Sequence, residues 1–370
     1  MIDSRERLIH ALNFQQADRV PMIEISIWDE TIERWRKEGL PGDVAYQSPF
    51  VSKNEYLLQN TVDDFLGLDR IAIVSFDCTL RFDEKLIEET DEFKIYTTQD
   101  GIQYKGFKNK TTPALPLDWT VKTSADWEIY KHRLVPDRIR LSQDTSDLCR
   151  TLAKNNIFTV VSPQEACQYA LYLLGEKNCL ELMALEPDFI EEFIKYYSDF
   201  TINMLEIILA DGIKPDALWY FSDLCYKNGM LFSPVFYRER IMKYHKRVFD
   251  FCKSRGMKII YHCDGYIGEL LPLLIEAGID CIQPMEARCG NDVRVYKKSY
   301  GDRIAFFGNI SADILSTGKT QIEGEVREKL LAAKAGGGYI FHSDHSIPPT
   351  ISFDNYCYSL ELARKYGQYL

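Results

Sequence analysis

The sequence predicts an α/β protein, a (β/α)8 TIM barrel formed by one domain spanning residues 1–370, with an inserted β-hairpin region near residues 91–113. Three observations carry this expectation. Eight short apolar runs begin at Val20, Arg70, Phe158, Asp216, Lys258, Cys281, Ile304 and Tyr339, most of them separated by segments of helical spacing. Alternating strands and helices favour a parallel sheet, because each crossover helix returns the chain to the same end, and eight such units close a barrel. Neither GxGxxG after the first run nor GxxxxGK[ST] occurs, so a doubly wound, phosphate-cradling sheet loses its support. A chain of 370 residues, 46% hydrophobic, is long enough to bury a core of this size.

Each element has a local reason. Residues 4–16 place Leu8, Ile9, Leu12 and Phe14 at helical spacing, with Asp3 or Ser4 as the cap. Val20 to Ser26 reads as the first strand, with Glu24 inside it, and Trp28 to Lys37 as a helix. Arg70 to Phe76 is the second strand. Asp91 to Pro113 alternates apolar and polar residues around Gln99-Asp100-Gly101, a hairpin signal in which Asp-Gly supplies the left-handed turn positions. Asp126 to Asp147 is charged and expected to be helical. Then the rhythm becomes regular: strand Phe158–Ser162, helices over 165–174 and 178–185, and a long helix opened by Pro187, with Ile190, Phe193, Tyr196, Phe200, Met204 and Ile208 on one face. Strand Asp216–Ser222 precedes a helix from Ser233-Pro234 to Arg255. Strand Lys258–Tyr261, helix Gly268–Gly278, strand Cys281–Pro284, helix Val293–Tyr300, strand Ile304–Phe307, a helix over 321–335, strand Tyr339–Phe341 and helix Ser352–Tyr366 complete the chain.

Composition excludes several classes. With 44 basic and 55 acidic residues the net charge is −11, which repels phosphate backbones and argues against nucleic acid as a partner. No window approaches the ~18–20 consecutive apolar residues of a membrane span. The N-terminal stretch lacks an apolar h-region, so no secretory signal is expected. Ten cysteines without a CxxC pair suit reduced thiols, and the chain is expected in the cytoplasm. The oligomeric state is left open, a homodimer included.

The chemistry concentrates at Lys258 to Gly268, KIIYHCDGYIG, where a buried-strand pattern breaks into His262, Cys263 and Asp264. Imidazole, thiolate and carboxylate are all metal ligands; the bland alternative is a loop whose His and Asp are satisfied by backbone, with a Cys that only packs. In a barrel the active site lies at the carboxyl ends of the strands. Those ends carry Glu24, Asp77, Gln164 with Glu165, Asp223, His262 with Asp264, Glu286 with Arg288 and Cys289, Asn309, and Asp344 with His345. His262 and Asp264 are two apart on an extended chain and can share a side. Together with Glu286 and His345 they form a Zn²⁺-type ligand set with room for a further ligand.

The blocks SRERLIHALNFQQADRVP, LEPDFIEEFIKYYSDF, HCDGYIGELLPLLIEAGIDCIQP, FFGNISADIL and GGGYIFHSDHSIPPTISFDNY, in this order, resemble the uroporphyrinogen decarboxylase family. The resemblance is greater to its branch of corrinoid-dependent methyltransferases. The decarboxylases carry an Arg-rich motif after the first strand; here the region reads EISIWDETIER, without such a cluster. The methyltransferase branch binds zinc through His-x-Cys at the fifth strand and a Cys near the eighth. His262 falls on that His, Asp264 on the first Cys, and Asp344-His345 stand around the last, which converts a sulfur-rich site to an N/O one. The resemblance implies methyl transfer between a small methyl donor or acceptor, of the ether or thiol class, and a corrinoid carried by a partner protein, with Zn²⁺ as Lewis acid. Asp223 and Asn309 would serve catalysis by orienting the substrate. Glu24, Gln164 and Tyr220 would face it, Tyr220 and Trp28 by stacking. Decarboxylation of a tetrapyrrole, with Asp223 or Asp77 stabilising a protonated pyrrole, and non-catalytic binding of a corrinoid partner are the alternatives.

Overall fold

A computed structural model describes residues 2–50, 57–108 and 114–369. Its centre is a curled parallel sheet in which seven strands follow one another in chain order: Ile71–Val74, Phe158–Val161, Ala217–Phe221, Lys258–Cys263, Cys281–Pro284, Ala305–Phe307 and Tyr339–Ile340. Every pair in this sheet is parallel. Residues 20–27 stand where an eighth strand closes a TIM barrel. Met22 and Ile27 bridge Phe341 and Ile347 in parallel, and Asp69 N–H donates to the Met22 carbonyl at 2.6 Å. The expected first strand is thus reduced to isolated bridges, for a local reason: Pro21 has no N–H to give, and the Met22 N–H is taken by the Asp69 side chain.

Strand alternation sorts the side chains. Ile23, Ile71, Ile73, Phe158, Val160, Ala217, Trp219, Ile260, Cys281, Ala305, Phe307 and Ile340 form one cluster inside the barrel. Leu8, Ala11 and Leu12 of the helix Ser4–Leu12 join it, so this helix stoppers the amino-terminal end. Of the two cap candidates it is Asp3 whose side chain accepts from Glu6 N–H. The other phase of each strand faces the helices. Tyr220 and Tyr261 are fully buried there, packed around His245 of the helix Met242–Lys253. Counting two residues on from Trp219, Ile260, Cys281 and Ile340 reaches Phe221, His262, Gln283 and His342, which form the next layer toward the carboxyl-end mouth.

Two expectations change. The segment 126–147 is not one helix: Ser124–Tyr130 and Gln143–Lys154 are helical, with tight turns at Lys131–Arg133 and Arg138–Arg140 between them, because Pro136 cannot continue the first helix. The antiparallel insertion is larger than a hairpin. Phe93–Thr97 and Ile102–Phe107 pair around the turn at Asp100 and Gly101, the latter at φ +73°, and Lys85–Glu89 and Leu115–Trp119 flank them to make four strands. Residues 109–113 of the expected region lie outside the described residues. Asp100 ties the insertion to the barrel, accepting from Leu80 N–H at 3.1 Å and from Tyr169 Oη at 2.6 Å.

Candidate metal centre

His262, Asp264 and His345 meet at the mouth, where they line a cavity of about 280 Å³ with Ile25, Trp219 and Phe221. That volume is close to the lower end of the roughly 300–1,000 Å³ usual for small-molecule sites. The strand Lys258–Cys263 turns His262 inward and Cys263 outward, and Gly265 at φ +82° then bends the chain. A side chain at Gly265 would meet the Tyr226 carbonyl oxygen at 2.7 Å, so this turn needs glycine. The bend places Asp264 Oδ1 3.7 Å from His262 Nε2 and Asp264 Oδ2 3.7 Å from His345 Nε2. Asp223 Oδ1 lies 3.5 Å from His262 Nε2 on the other side.

These separations exceed the 2.7–3.2 Å of a nitrogen–oxygen hydrogen bond. They are close to the spacing of two ligands on one tetrahedral Zn²⁺, about 3.4 Å for bonds near 2.1 Å. His262 Nε2 and Asp264 Oδ1 are both buried without a hydrogen-bond partner among the described residues. Such groups are costly unless something pairs with them. The other imidazole nitrogen is committed: Nδ1 pairs with Gln283 Oε1, a carbonyl oxygen that can only accept, so Nδ1 carries the hydrogen and Nε2 presents its lone pair. The Phe221 ring stacks on the imidazole at 4.1 Å and 10° and fixes its plane.

The ligand atoms fall into two overlapping groups, Asp223–His262–Asp264 and Asp264–Glu286–His345, each within 4.8 Å. Glu286 is buried and partly committed, accepting Gly265 N–H at 2.7 Å and pairing with Arg288. Electrostatics follow from this crowding. Burial alone would lower the His262 imidazole, but the Asp223 and Asp264 carboxylates raise it above its ordinary value. The Asp264 carboxylate likewise raises His345. Burial pushes Asp264 up, and the two imidazoles more than offset this, so its carboxyl sits below the usual range. All the groups fit a cation: nitrogen and oxygen donors, incompletely satisfied, at coordination spacing.

Other predicted residues lie elsewhere. Tyr220 faces the helices and cannot stack on anything in the mouth. Asn309 is fully buried and clamps loops: its Oδ1 accepts Val293 N–H at 2.9 Å, and its Nδ2 donates to the Met285 and Asn291 carbonyls. Both are corrections, the first of strand phase and the second of a side chain consumed by its own neighbourhood. Gln164 is half-buried and lines a neighbouring hollow of about 330 Å³ that shares Phe50 and Phe221 with the first. Trp28 is largely exposed at the start of the helix Asp29–Glu38. Asp77 is engaged by Thr79 and by Arg81 Nε at 2.5 Å. Asp344 accepts the N–H groups of Ala287 and Ala312, bracing the loops around Glu286.

Glu24 lies behind the cavity wall, its Oε1 accepting from Ser343 Oγ at 2.7 Å and standing 3.1 Å from His342 Nε2. His342 is a mouth-layer residue that strand-end reading passed over, though its phase two residues beyond Ile340 marks it as inward. Its Nδ1–H donates to the Ser343 carbonyl and its Nε2 accepts Ile25 N–H, so the Glu24 contact needs a hydrogen on the carboxyl. Burial agrees, raising Glu24 to about 8 and lowering His342 to about 3.

The sequence model of the uroporphyrinogen decarboxylase family, URO-D, matches residues 110–366, more than half of the chain. The chain belongs to this family. A uroporphyrinogen decarboxylase from Streptomyces coelicolor is 32% identical over 126 residues, 33% of this chain and 33% of that protein. One from Carboxydothermus hydrogenoformans is 27% identical over 211 residues, 55% of this chain and 56% of that protein. The chain thus spans between about a third and just over half the length of the curated relatives it matches. A solved structure, a methyltransferase from Methanosarcina mazei, aligns over 99% of both chains with a TM-score of 0.65 and 16% identity, a likeness of fold. The family resemblance and the barrel expected from the sequence are both borne out.

Proposed function

We propose that this member of the URO-D family is a metal-dependent methyltransferase that moves a methyl group between a small methyl ether or thiol and a corrinoid carried by a partner protein. The observation that carries this reading is the unpartnered pair His262 Nε2 and Asp264 Oδ1, flanked by Asp223 and His345 at coordination spacing. The fold shared with the Methanosarcina methyltransferase supports it, as does a cavity small for a tetrapyrrole. His262, Asp264, Glu286 and His345, with Asp223 in reach, would hold a divalent cation such as Zn²⁺, which when bound supplies Lewis acidity to the heteroatom that bears or accepts the methyl.

The chain's own residues do the rest. Gln283 and Phe221 hold the His262 ring in one orientation and tautomer. Ile25, Trp219, Phe221 and Pro284 line the cavity, exclude water and receive the apolar part of the substrate. Asp223, 3.5 Å from His262 Nε2, would orient a polar group of the substrate. No helix among the described residues is long and apolar enough to cross a membrane, and the open mouth is the face at which a corrinoid protein would dock.

The test joins metal analysis to turnover. Purified protein should contain Zn²⁺ and transfer methyl from an aryl methyl ether or a methyl thioether to free cob(I)alamin, followed by the absorbance of methylcobalamin. His345→Ala should lower metal content and transfer together while the melting curve persists. Unchanged metal content in that variant would remove His345 from the site. The curated relatives' name favours a second reading, decarboxylation of a porphyrinogen. Acidic Asp223, Asp264 and Glu286 suit a polycarboxylate poorly, and porphyrinogen turnover by metal-free protein would decide for it.

A further inference from the structure

The two ligand groups share a single residue, and they use different atoms of it. Asp264 Oδ1 faces His262 Nε2 at 3.7 Å, and His262 in turn faces Asp223 Oδ1 at 3.5 Å. Asp264 Oδ2 faces His345 Nε2 at 3.7 Å, on the side of Glu286. A single ion drawing on all four expected ligands would have to collect His262 and His345 from opposite oxygens of one carboxylate. We propose that the mouth holds two divalent cations bridged by Asp264, an inner one on Asp223, His262 and Asp264 and an outer one on Asp264, Glu286 and His345. This rests on the metal-dependent reading above and deepens it.

The unpartnered His262 Nε2, nine-tenths buried, and Asp264 Oδ1 point to the inner ion independently of the acidic cluster. Carboxylates bridging paired cations are the usual plan of two-metal sites, whose ions sit roughly 3.5–4 Å apart. Three carboxylates, Asp223, Asp264 and Glu286, are divided between the two groups, and among the described residues only Glu286 of these pairs with a Lys or Arg, the half-exposed Arg288. The thiol of Cys289 is turned to Glu286 Oε2 at 3.4 Å and belongs to neither ligand group. The donors are therefore nitrogen and oxygen, which suit Zn²⁺ or Mn²⁺. Such a pair would take a substrate through an oxygen atom able to contact both ions, which favours the ether class over the thiol.

The experiment is a metal titration of the full chain after chelation. Equilibrium dialysis with Zn²⁺ should give two ions per chain, falling to one in Asp223→Asn, to one in His345→Ala, and to none retained tightly in Asp264→Asn. Electron paramagnetic resonance of the Mn²⁺-loaded wild type should show an exchange-coupled pair, a readout that needs no variant to fold. One ion per chain, lost alike in Asp223→Asn and His345→Ala with an uncoupled Mn²⁺ spectrum, would overturn the bridged pair and leave a single-metal methyltransferase standing. No ion at all would overturn both.

Discussion

The two ends of the barrel treat charge in opposite ways. At the amino-terminal end Asp69, almost fully buried, accepts from Arg7 at 2.5 Å, from Arg19 at 2.7 Å, from Ser4 Oγ at 3.0 Å and from Met22 N–H at 2.8 Å. Arg5 grips Asp216 through Nη2 at 2.7 Å and Nε at 3.0 Å. At the carboxyl end the facing charges stand 3.5–3.7 Å apart, and two of their atoms have no hydrogen-bond partner among the described residues. Charges completed within the chain lock the entry helix to the strand starts and serve the fold. Charges left incomplete at a rim await something from outside. This division is the one expected of a barrel whose chemistry is confined to one face.

The comparison breaks most visibly at Asp69. Asp69→Asn strips a buried carboxylate from two guanidiniums and should cost about 3–5 kcal/mol, read from denaturant midpoints. Asp264→Asn should cost far less in chelated protein, about 0–1 kcal/mol, because its carboxylate meets the two imidazoles only across 3.7 Å; an equal loss in both variants would erase the distinction between the two ends. Next in size is Gln283→Leu, which frees the His262 ring. It should weaken Zn²⁺ binding roughly 10–100-fold in a chelator competition assay, with a small change in melting temperature. The smallest effect concerns Glu24. Its carboxyl is raised to about 8 in the fold, so its contribution is fully present below its ordinary value near 4.5 and fades as pH climbs through 8. Glu24→Gln, which keeps a donor toward His342, should therefore match the wild type near pH 4 and exceed it by on the order of 1–2 kcal/mol at pH 6. Parallel stability curves for the two proteins would mean that Glu24 is ionised in the fold.

Much of this is legible in the amino-acid sequence. The apolar runs located all seven assigned strands, because parallel barrel strands are buried on both faces and read as unbroken hydrophobic stretches. That same lack of alternation concealed strand phase. In DALWYFS nothing marks Trp219 and Phe221 as inward and Tyr220 as outward, so the sequence alone suggests Tyr220 for the mouth. Asn309 ends a strand as a ligand would, yet it sits at φ +97° with its amide spent on three backbone partners, a situation that depends on the neighbouring loops. The His262–Asp264 spacing of two was enough to bring those side chains together. That Asp264 turns one oxygen to each histidine could not be read from spacing, since it follows from the bend at Gly265.

Anomalous scattering at the zinc edge from a crystal of the protein grown with Zn²⁺ shows whether the mouth binds metal. Anomalous density should be bonded to His262 Nε2 and Asp264 at the carboxyl-end mouth. A mouth without anomalous signal, with His262 Nε2 hydrogen-bonded to a side chain or to water, would contradict it.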